Sequence, residues 1–299
     1  MANNTLMKKH KKLTVGKLLI YIVLLIYTVF LFFPILTVLL TSFVPSEELT
    51  TNEEFVWWPE NITFDSYSEI FARDRFSDAY GLPGLLFGFI NTMWMTLLPL
   101  LIGLFMAGLS AYAFSKTDFP LKEKLFKFSV IIRSIPLGAF GVISYIFYMT
   151  LGWYGEKGFL PLLIPGLFGG IGTMFFLRLY FDGIPNSLIE AATLDGAGFF
   201  QTFFKVMFPL AKPAFMAQFI FGFVGGYNSY LGPMLYLQGN DQFVTIQLYL
   251  TQVRGLFTQP NQVNIHCAAA ILGMLPLIII YCFVQKYFIE GVTAGGVKE

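Results

Sequence analysis

The chain has 299 residues, of which 56% are hydrophobic and only 12% charged, with a mean hydropathy of +0.67. An ordinary soluble domain is about 25% charged, so this composition excludes water as the main solvent. A net charge of +1 gives no electrostatic reason to expect a nucleic-acid partner.

In chain order, a basic arm over residues 1–17, with Lys8, Lys9, Lys11, Lys12 and Lys17, precedes the first apolar stretch. Charge-poor stretches then fall at about 18–42, 85–114, 128–151, 158–181, 213–237 and 266–285. Each reaches the roughly 20 residues that a helix needs to cross the hydrocarbon core. The first run is longer than the 7–15 residues of a signal-peptide core, and no A-x-A-like cleavage site follows, so it is expected to be an anchor. The predicted fold class is an all-α membrane protein with six transmembrane helices. Its transmembrane domain spans 18–290 and its tail 291–299.

Basic residues set the orientation. With the N-terminus inside, the arm, the 115–127 loop, the 178–212 segment and the tail hold 14 of the 19 lysines and arginines. Arg73, Arg75, Lys157 and Arg254 then lie outside, with Arg133 within the third span. This asymmetry is the positive-inside pattern, so both termini are expected in the cytoplasm. Arg133 either snorkels to the cytoplasmic headgroups or turns into the bundle. The external segment 43–84 is acidic, with Glu47, Glu48, Glu53, Glu54, Glu60, Asp65, Glu69, Asp74 and Asp78. It either keeps the loop solvated or receives a soluble partner.

Several chemistries lack their residues. There is no G-x-x-x-x-G-K-[ST] phosphate loop, so ATP hydrolysis by that route must come from another chain. No Asp or Glu sits in a proposed span, which disfavours an ion-driven carrier. G-x-S-x-G and H-E-x-x-H are both missing, as is any intramembrane carboxylate pair, so an intramembrane enzyme has no visible acid or base. Cys267 and Cys282 lie 15 residues apart on one predicted helix, roughly 22 Å along its axis, and cannot bridge each other. Neither His10 nor His266 has a second ligand at metal spacing.

The polar segment PNSLIEAATLDGAGFFQTFFKVMFPLAKP, 185–213, interrupts the apolar chain. Ser187 and Glu190 have capping-box spacing, which predicts a helix from Leu188 that Gly196 ends. An amphipathic stretch, Phe199 to Phe208, follows, and Pro209 with Pro213 blocks its continuation into the next span. Small Ala191 and Ala192 would let another protein approach closely.

This segment resembles the EAA loop of ABC importer permeases, through Glu190, Ala191, Ala192, Gly196, Val206, Phe208 and Pro209. Asp195, Gly196 and Ala197 complete the EAAxxDGA form of the maltose-type carbohydrate permeases. NTMWMT from Asn91, LSAYAFSK from Leu109, YNSYLGP from Tyr227 and the ending GVTAGGVKE from Gly291 resemble that subfamily in order and spacing, as does WWPENITFDSYSEIF from Trp57.

The resemblance implies a type I importer transmembrane fold in a bacterial inner or plasma membrane, taking up a carbohydrate, in particular an oligosaccharide. It implies a second homologous permease, two copies of an ATPase subunit that bind ATP and Mg, and an extracytoplasmic sugar-binding protein. This chain would itself carry no cofactor and no catalytic residue. The ATPase-coupling residues would be Glu190, Ala191, Ala192, Asp195, Gly196, Ala197 and Pro209. Sugar hydroxyls need hydrogen-bond partners and sugar rings stack on aromatics, so the substrate path is expected at Asn91, Thr92, Tyr227, Asn228 and Tyr230, with Tyr145 and Tyr148 as weaker candidates. Position 229 is Ser, where the family more often has an acid. In maltose-type permeases the loop equivalent to 238–265 reaches into the opened binding protein, so the resemblance implies the same task here. A surface helix over TIQLYLTQV is the alternative. An importer for a phosphonate or amino acid and a secondary carrier are the other functional readings.

Overall fold

The structure, a computed structural model, describes residues 15–51, 58–72, 75–135 and 141–296. Most of the basic arm and the acids Glu53, Glu54 and Asp74 lie outside the described residues.

The described residues form helices joined by turns and short loops. Helix α1 (Val15–Thr41) is followed outside the expected first span by three short helices, α2 (Ser46–Thr51), α3 (Asp65–Phe71) and α4 (Arg75–Tyr80). Next come α5 (Gly84–Lys116), α6 (Lys122–Ser134) and α7 (Gly141–Thr150). Then follow α8 (Leu160–Leu167), α9 (Ile171–Asp182) and α10 (Ser187–Leu194). The chain continues through α11 (Phe199–Thr202), a π-helical turn Phe203–Met207, α12 (Phe208–Leu210) and α13 (Lys212–Tyr227). It ends with α14 (Leu231–Leu237), α15 (Ile246–Leu256) and α16 (Val263–Gly296).

Among the described residues, four segments are long and apolar enough to cross a membrane by themselves: Val15–Thr41, Gly84–Lys116, Gly155–Asp182 and Val263–Gln285. The other two predicted spans are built from pieces. The third consists of α6 and α7, separated by residues outside the description. The fifth consists of α13 and α14, with a break at Asn228–Tyr230. The fourth span is also interrupted: α8 ends at Leu167, Gly169 takes φ +77°, and α9 starts at Ile171. The last helix runs on to Gly296, so the predicted tail is helical from Gly291 to that point.

Helix α5 is the central element, packing on α8, α9, α13 and α15. Side chains collect in two cores. The outer one joins Leu85, Phe223, Tyr227, Val244, Ile246 and Tyr249, among others. The inner one joins Ala111, Tyr112, Leu177, Phe181, Phe203 and Met207, among others. Between them α5 crosses the α8–α9 break through small residues. A Cβ at Gly103 would collide with the Gly166 carbonyl oxygen, and one at Gly166 would lie 2.7 Å from Pro99 Cβ. Close backbone approach of this kind is how helices associate in lipid, where apolar side chains gain little by turning inward. Helix α1 leaves its large apolar side chains exposed along most of its length, as suits a lipid-facing helix.

Candidate functional site

A cavity of about 490 Å³ occupies the level between the two cores. Its wall comes from α5 (Thr92 to Leu104), the α8–α9 break (Gly166, Gly169, Gly170, Thr173), α13 (Gln218, Gly222, Gly226) and the α13–α14 break (Ser229, Pro233). Both broken spans therefore line the same space. This is where membrane proteins tolerate irregular backbone, because a polar cavity can satisfy the freed N–H and C=O groups. The polar lining side chains are Thr92, Thr96, Thr173, Gln218, Ser229 and Thr245, and none is ionised. The Thr245 hydroxyl, in a residue only 4% exposed, has no hydrogen-bond partner among the described residues.

Of the predicted path residues, only Thr92 lines this cavity. Asn91 is buried beside it. Its amide donates to the carbonyls of Gln242 (3.1 Å) and Val244 (3.0 Å), and its Oδ1 accepts from Trp94 Nε1 at 3.1 Å. The Thr92 hydroxyl accepts from the Ile246 N–H at 2.8 Å and donates to the Gly88 carbonyl. Together these two residues fasten the external segment to the top of α5. Tyr227 is 1% exposed, and its hydroxyl donates to the Gly273 carbonyl of α16 at 2.7 Å. Asn228 bonds the Val224 carbonyl and Gln247, while Tyr230 lines a separate cavity beside Arg254 and His266. Tyr145 and Tyr148 pack against Tyr236, away from the cavity. Asn91 and Tyr227 thus spend their polar groups on neighbouring segments, as polar residues between membrane helices often do.

Removing the Asn91 amide should leave two carbonyls short of a donor. Asn91→Ala is expected to cost about 1–3 kcal/mol, read as a lower thermal midpoint and faster proteolysis between Gln238 and Val244.

The segment 238–265 holds α15, and the predicted TIQLYLTQV helix does form. Its apolar face does not lie on the membrane: Ile246, Tyr249 and Val253 are buried in the outer core. The turn before it, with Gln238 and Gly239 both at positive φ, stays at the surface.

At the cytoplasmic end the EAA residues form one compact unit. Helix α10 begins at Ser187 rather than Leu188, and its N-cap is Asn186. No capping bond from a side chain forms, which corrects the expected Ser187–Glu190 capping box. The C-terminus follows the prediction. Ala197 N–H donates to the Ala192 carbonyl at 2.9 Å and Gly196 N–H to Thr193 at 3.0 Å, with Gly196 at φ +78°. This is a Schellman cap, which needs a left-handed residue just past the helix and so favours glycine.

No residue of α10 is buried, and Leu194 is 89% exposed. The following stretch instead turns its apolar face inward. Phe203 and Met207 are fully buried, and the Phe203 ring packs on Phe105 and Tyr112 of α5. At Ala211 the chain bends by 77° into α13. Pro209 lies just before the bend, and Pro213 sits in the first turn of α13, where its missing N–H has no intrahelical partner to lose. An exposed helix is thus held at the end of the bundle opposite the outer core, and α5 and α9 extend from there to the cavity wall.

Two basic groups that the sequence placed on this side without giving them a partner help to position it. Arg178 is ion-paired with Glu123 (3.1 Å) and Asp182 (3.7 Å) and lies over the Phe126 ring. Lys116 Nζ donates to the Ile184 carbonyl (2.6 Å) and to Asn186 Oδ1 (2.7 Å). The available signal was their position near the edges of charge-poor stretches. Arg133 is exposed, and its guanidinium occupies the space left by the absent side chain of Gly172 in α9.

Residues 100–293 match the family described as the binding-protein-dependent transport system inner membrane component, and the chain belongs to that family. It is a multi-pass inner-membrane permease subunit of an ABC-type importer. The chain is 30% identical over 267 residues to the arabinooligosaccharides transport system permease protein AraQ of Halalkalibacterium halodurans, covering 89% of this chain and 91% of that one. It is 27% identical to the maltodextrin transport system permease protein MalD of Streptococcus pneumoniae, over 99% of both. In fold it resembles a chain of a bacterial ABC transporter involved in the import of the acidic polysaccharide alginate. The TM-score is 0.77 at 23% identity, over 92% of this chain and 96% of that one.

Proposed function

We propose that the solute is a neutral carbohydrate of oligosaccharide size, which this subunit passes across the membrane together with a second, homologous permease. The observation that carries the reading is the cavity wall, whose polar side chains are hydroxyls and one amide with no ionised group. A phosphonate or an amino acid would leave its charge unpaired there, at a high desolvation cost. Sugar hydroxyls match such a lining, and similarity to permeases for arabinooligosaccharides and maltodextrin supports the same class.

The mechanism follows from the two ends of the bundle. Helix α10, with Glu190, Ala191, Ala192, Asp195, Gly196 and Ala197, docks on a separate ATPase subunit that binds ATP and Mg. The exposed Leu194 adds an apolar knob to that surface. Closure of the ATPase dimer shifts α10, and α5 and α9 carry the shift to the cavity. ATP biases the inward-open and outward-open states only through the difference in docking between them. An extracytoplasmic binding protein delivers the sugar to the surface turn at Gln238–Asp241.

The test is uptake by proteoliposomes holding the complete complex, with ATP inside and the loaded binding protein outside. Labelled oligosaccharide should enter only with ATP. Preferred entry of an amino acid or phosphonate would overturn the carbohydrate assignment, and uptake that survives ATPase inactivation would favour a secondary carrier.

A further inference from the structure

We propose that Lys116 is a positioning residue that locks the docking helix α10 to the transmembrane bundle. Movement of α10 then reaches the cavity wall instead of being absorbed in the turn before it. The proposal rests on the reading of α10 as the ATPase-docking element.

The turn between α9 and α10, Asp182–Asn186, is the link by which the chain enters α10 from α9, while at its other end the chain leaves toward the buried Phe203 and Met207. A turn of this length has several soft dihedrals and would act as a hinge unless restrained. The end of α5 supplies the restraint. The Lys116 ammonium donates to the Ile184 carbonyl at 2.6 Å and to Asn186 Oδ1 at 2.7 Å, so its two partners flank Pro185. Asn186 is the N-cap of α10. The neighbouring Ser115 hydroxyl donates to Asp182 Oδ1 at 2.5 Å, which pins the other end of the turn. Asp182 is held in turn by Arg178 at 3.7 Å, and Arg178 reaches Glu123 of α6. Two helices of the bundle, α5 and α9, thus hold these five residues, and α6 braces them through Arg178.

Both helices that grip the turn also line the cavity, α5 at Gly103 and Leu104 and α9 at Thr173. From Thr173 to Asp182 is about 13 Å along the helix. A displacement at the turn is therefore delivered to the cavity by rigid elements, provided that the turn itself does not yield. A compact ammonium with three donors suits this role. It satisfies a carbonyl and a side-chain amide at once and draws both toward α5.

The experiment uses the assembled importer carrying Lys116→Met, with Lys116→Arg as the variant that keeps the cation. Two quantities are read: amide hydrogen exchange across 183–190, and solute moved per ATP hydrolysed. In Lys116→Met, exchange in 183–190 should rise while that of α9 stays unchanged, and solute moved per ATP should fall about fivefold or more. Lys116→Arg should remain near the unsubstituted complex in both. Asn186→Ala, which removes one partner and leaves the lysine in place, should shift both in the same direction by less, and it serves if Lys116→Met does not assemble. Unchanged exchange, or raised exchange with an unchanged transport ratio, would overturn the proposal while leaving the docking assignment intact. An unsubstituted complex in which ATP hydrolysis does not respond to the loaded binding protein would sink the docking reading, and this proposal with it.

Discussion

Gly196→Asp is expected to abolish the stimulation of ATP hydrolysis by the loaded binding protein, while the subunit stays in the membrane at its normal level. Gly196 stands just beyond α10 at φ +78°, and a side chain built there meets no atom of the chain within 4 Å. The substitution therefore has two separable effects. Placing a side chain in the left-handed region costs about 1 kcal/mol, and Asp is among the residues that tolerate it best. The fold should accept that cost. The new carboxylate, however, projects into the open space beside an unburied helix, where the ATPase surface would lie. A charge facing a docked protein loses its water without gaining a partner. Gly196→Ala carries at least as much backbone strain, with less bulk and no charge, and should keep most of the stimulation. Equal loss in both variants would point to a failed cap, and full stimulation in Gly196→Asp would remove α10 from the docking surface.

Gly103→Ala should produce a larger structural defect than its single methyl suggests. The added Cβ is aimed at the Gly166 carbonyl oxygen, and the nearby Gly169 approaches α5 just as closely. A crowded side chain can rotate away, but here the obstacle is backbone. The two spans must separate, and the usual overpacking cost of about 1–3 kcal/mol should be reached at its upper end. The thermal midpoint is expected to fall by about 5–10 °C, with loss of transport, because the same crossing forms the cavity wall. Gly225→Ala is the control. It adds a methyl to α13 where nothing lies within 4 Å, and should be neutral or slightly stabilising. An unchanged midpoint in Gly103→Ala would mean that this crossing is looser than described.

The membrane class, the all-helical fold and the helix that Gly196 ends were legible in the sequence. Each rests on a local signal. Length and apolarity define a span, and the Gly at 196 followed by a second helical stretch marks a capped helix end. The expected start of α10 was off by one residue, because Ser187 entered the helix and Asn186 took the cap position without a side-chain bond.

Which polar residues face the cavity was decided only by the tertiary structure. Asn91 and Thr92 are adjacent in sequence and equally polar, yet Thr92 lines the cavity while Asn91 is used up on the external segment. The reason is physical. Lipid is as apolar as a protein core, so the faces of a transmembrane helix carry no contrast that tells inside from outside. The rotation of α5 is set instead by small residues that fit another backbone, Gly103 on Gly166 and Gly88 against Ile246. The breaks at Gly169 and Asn228–Tyr230 then turn Thr173 and Ser229 toward the same space. Lys116 and Arg178 show the same limit at the cytoplasmic end. Their sequence positions mark them only as charges near a membrane boundary, and their partners at Ile184, Asn186 and Glu123 come within reach only when α5, α6 and α9 pack together.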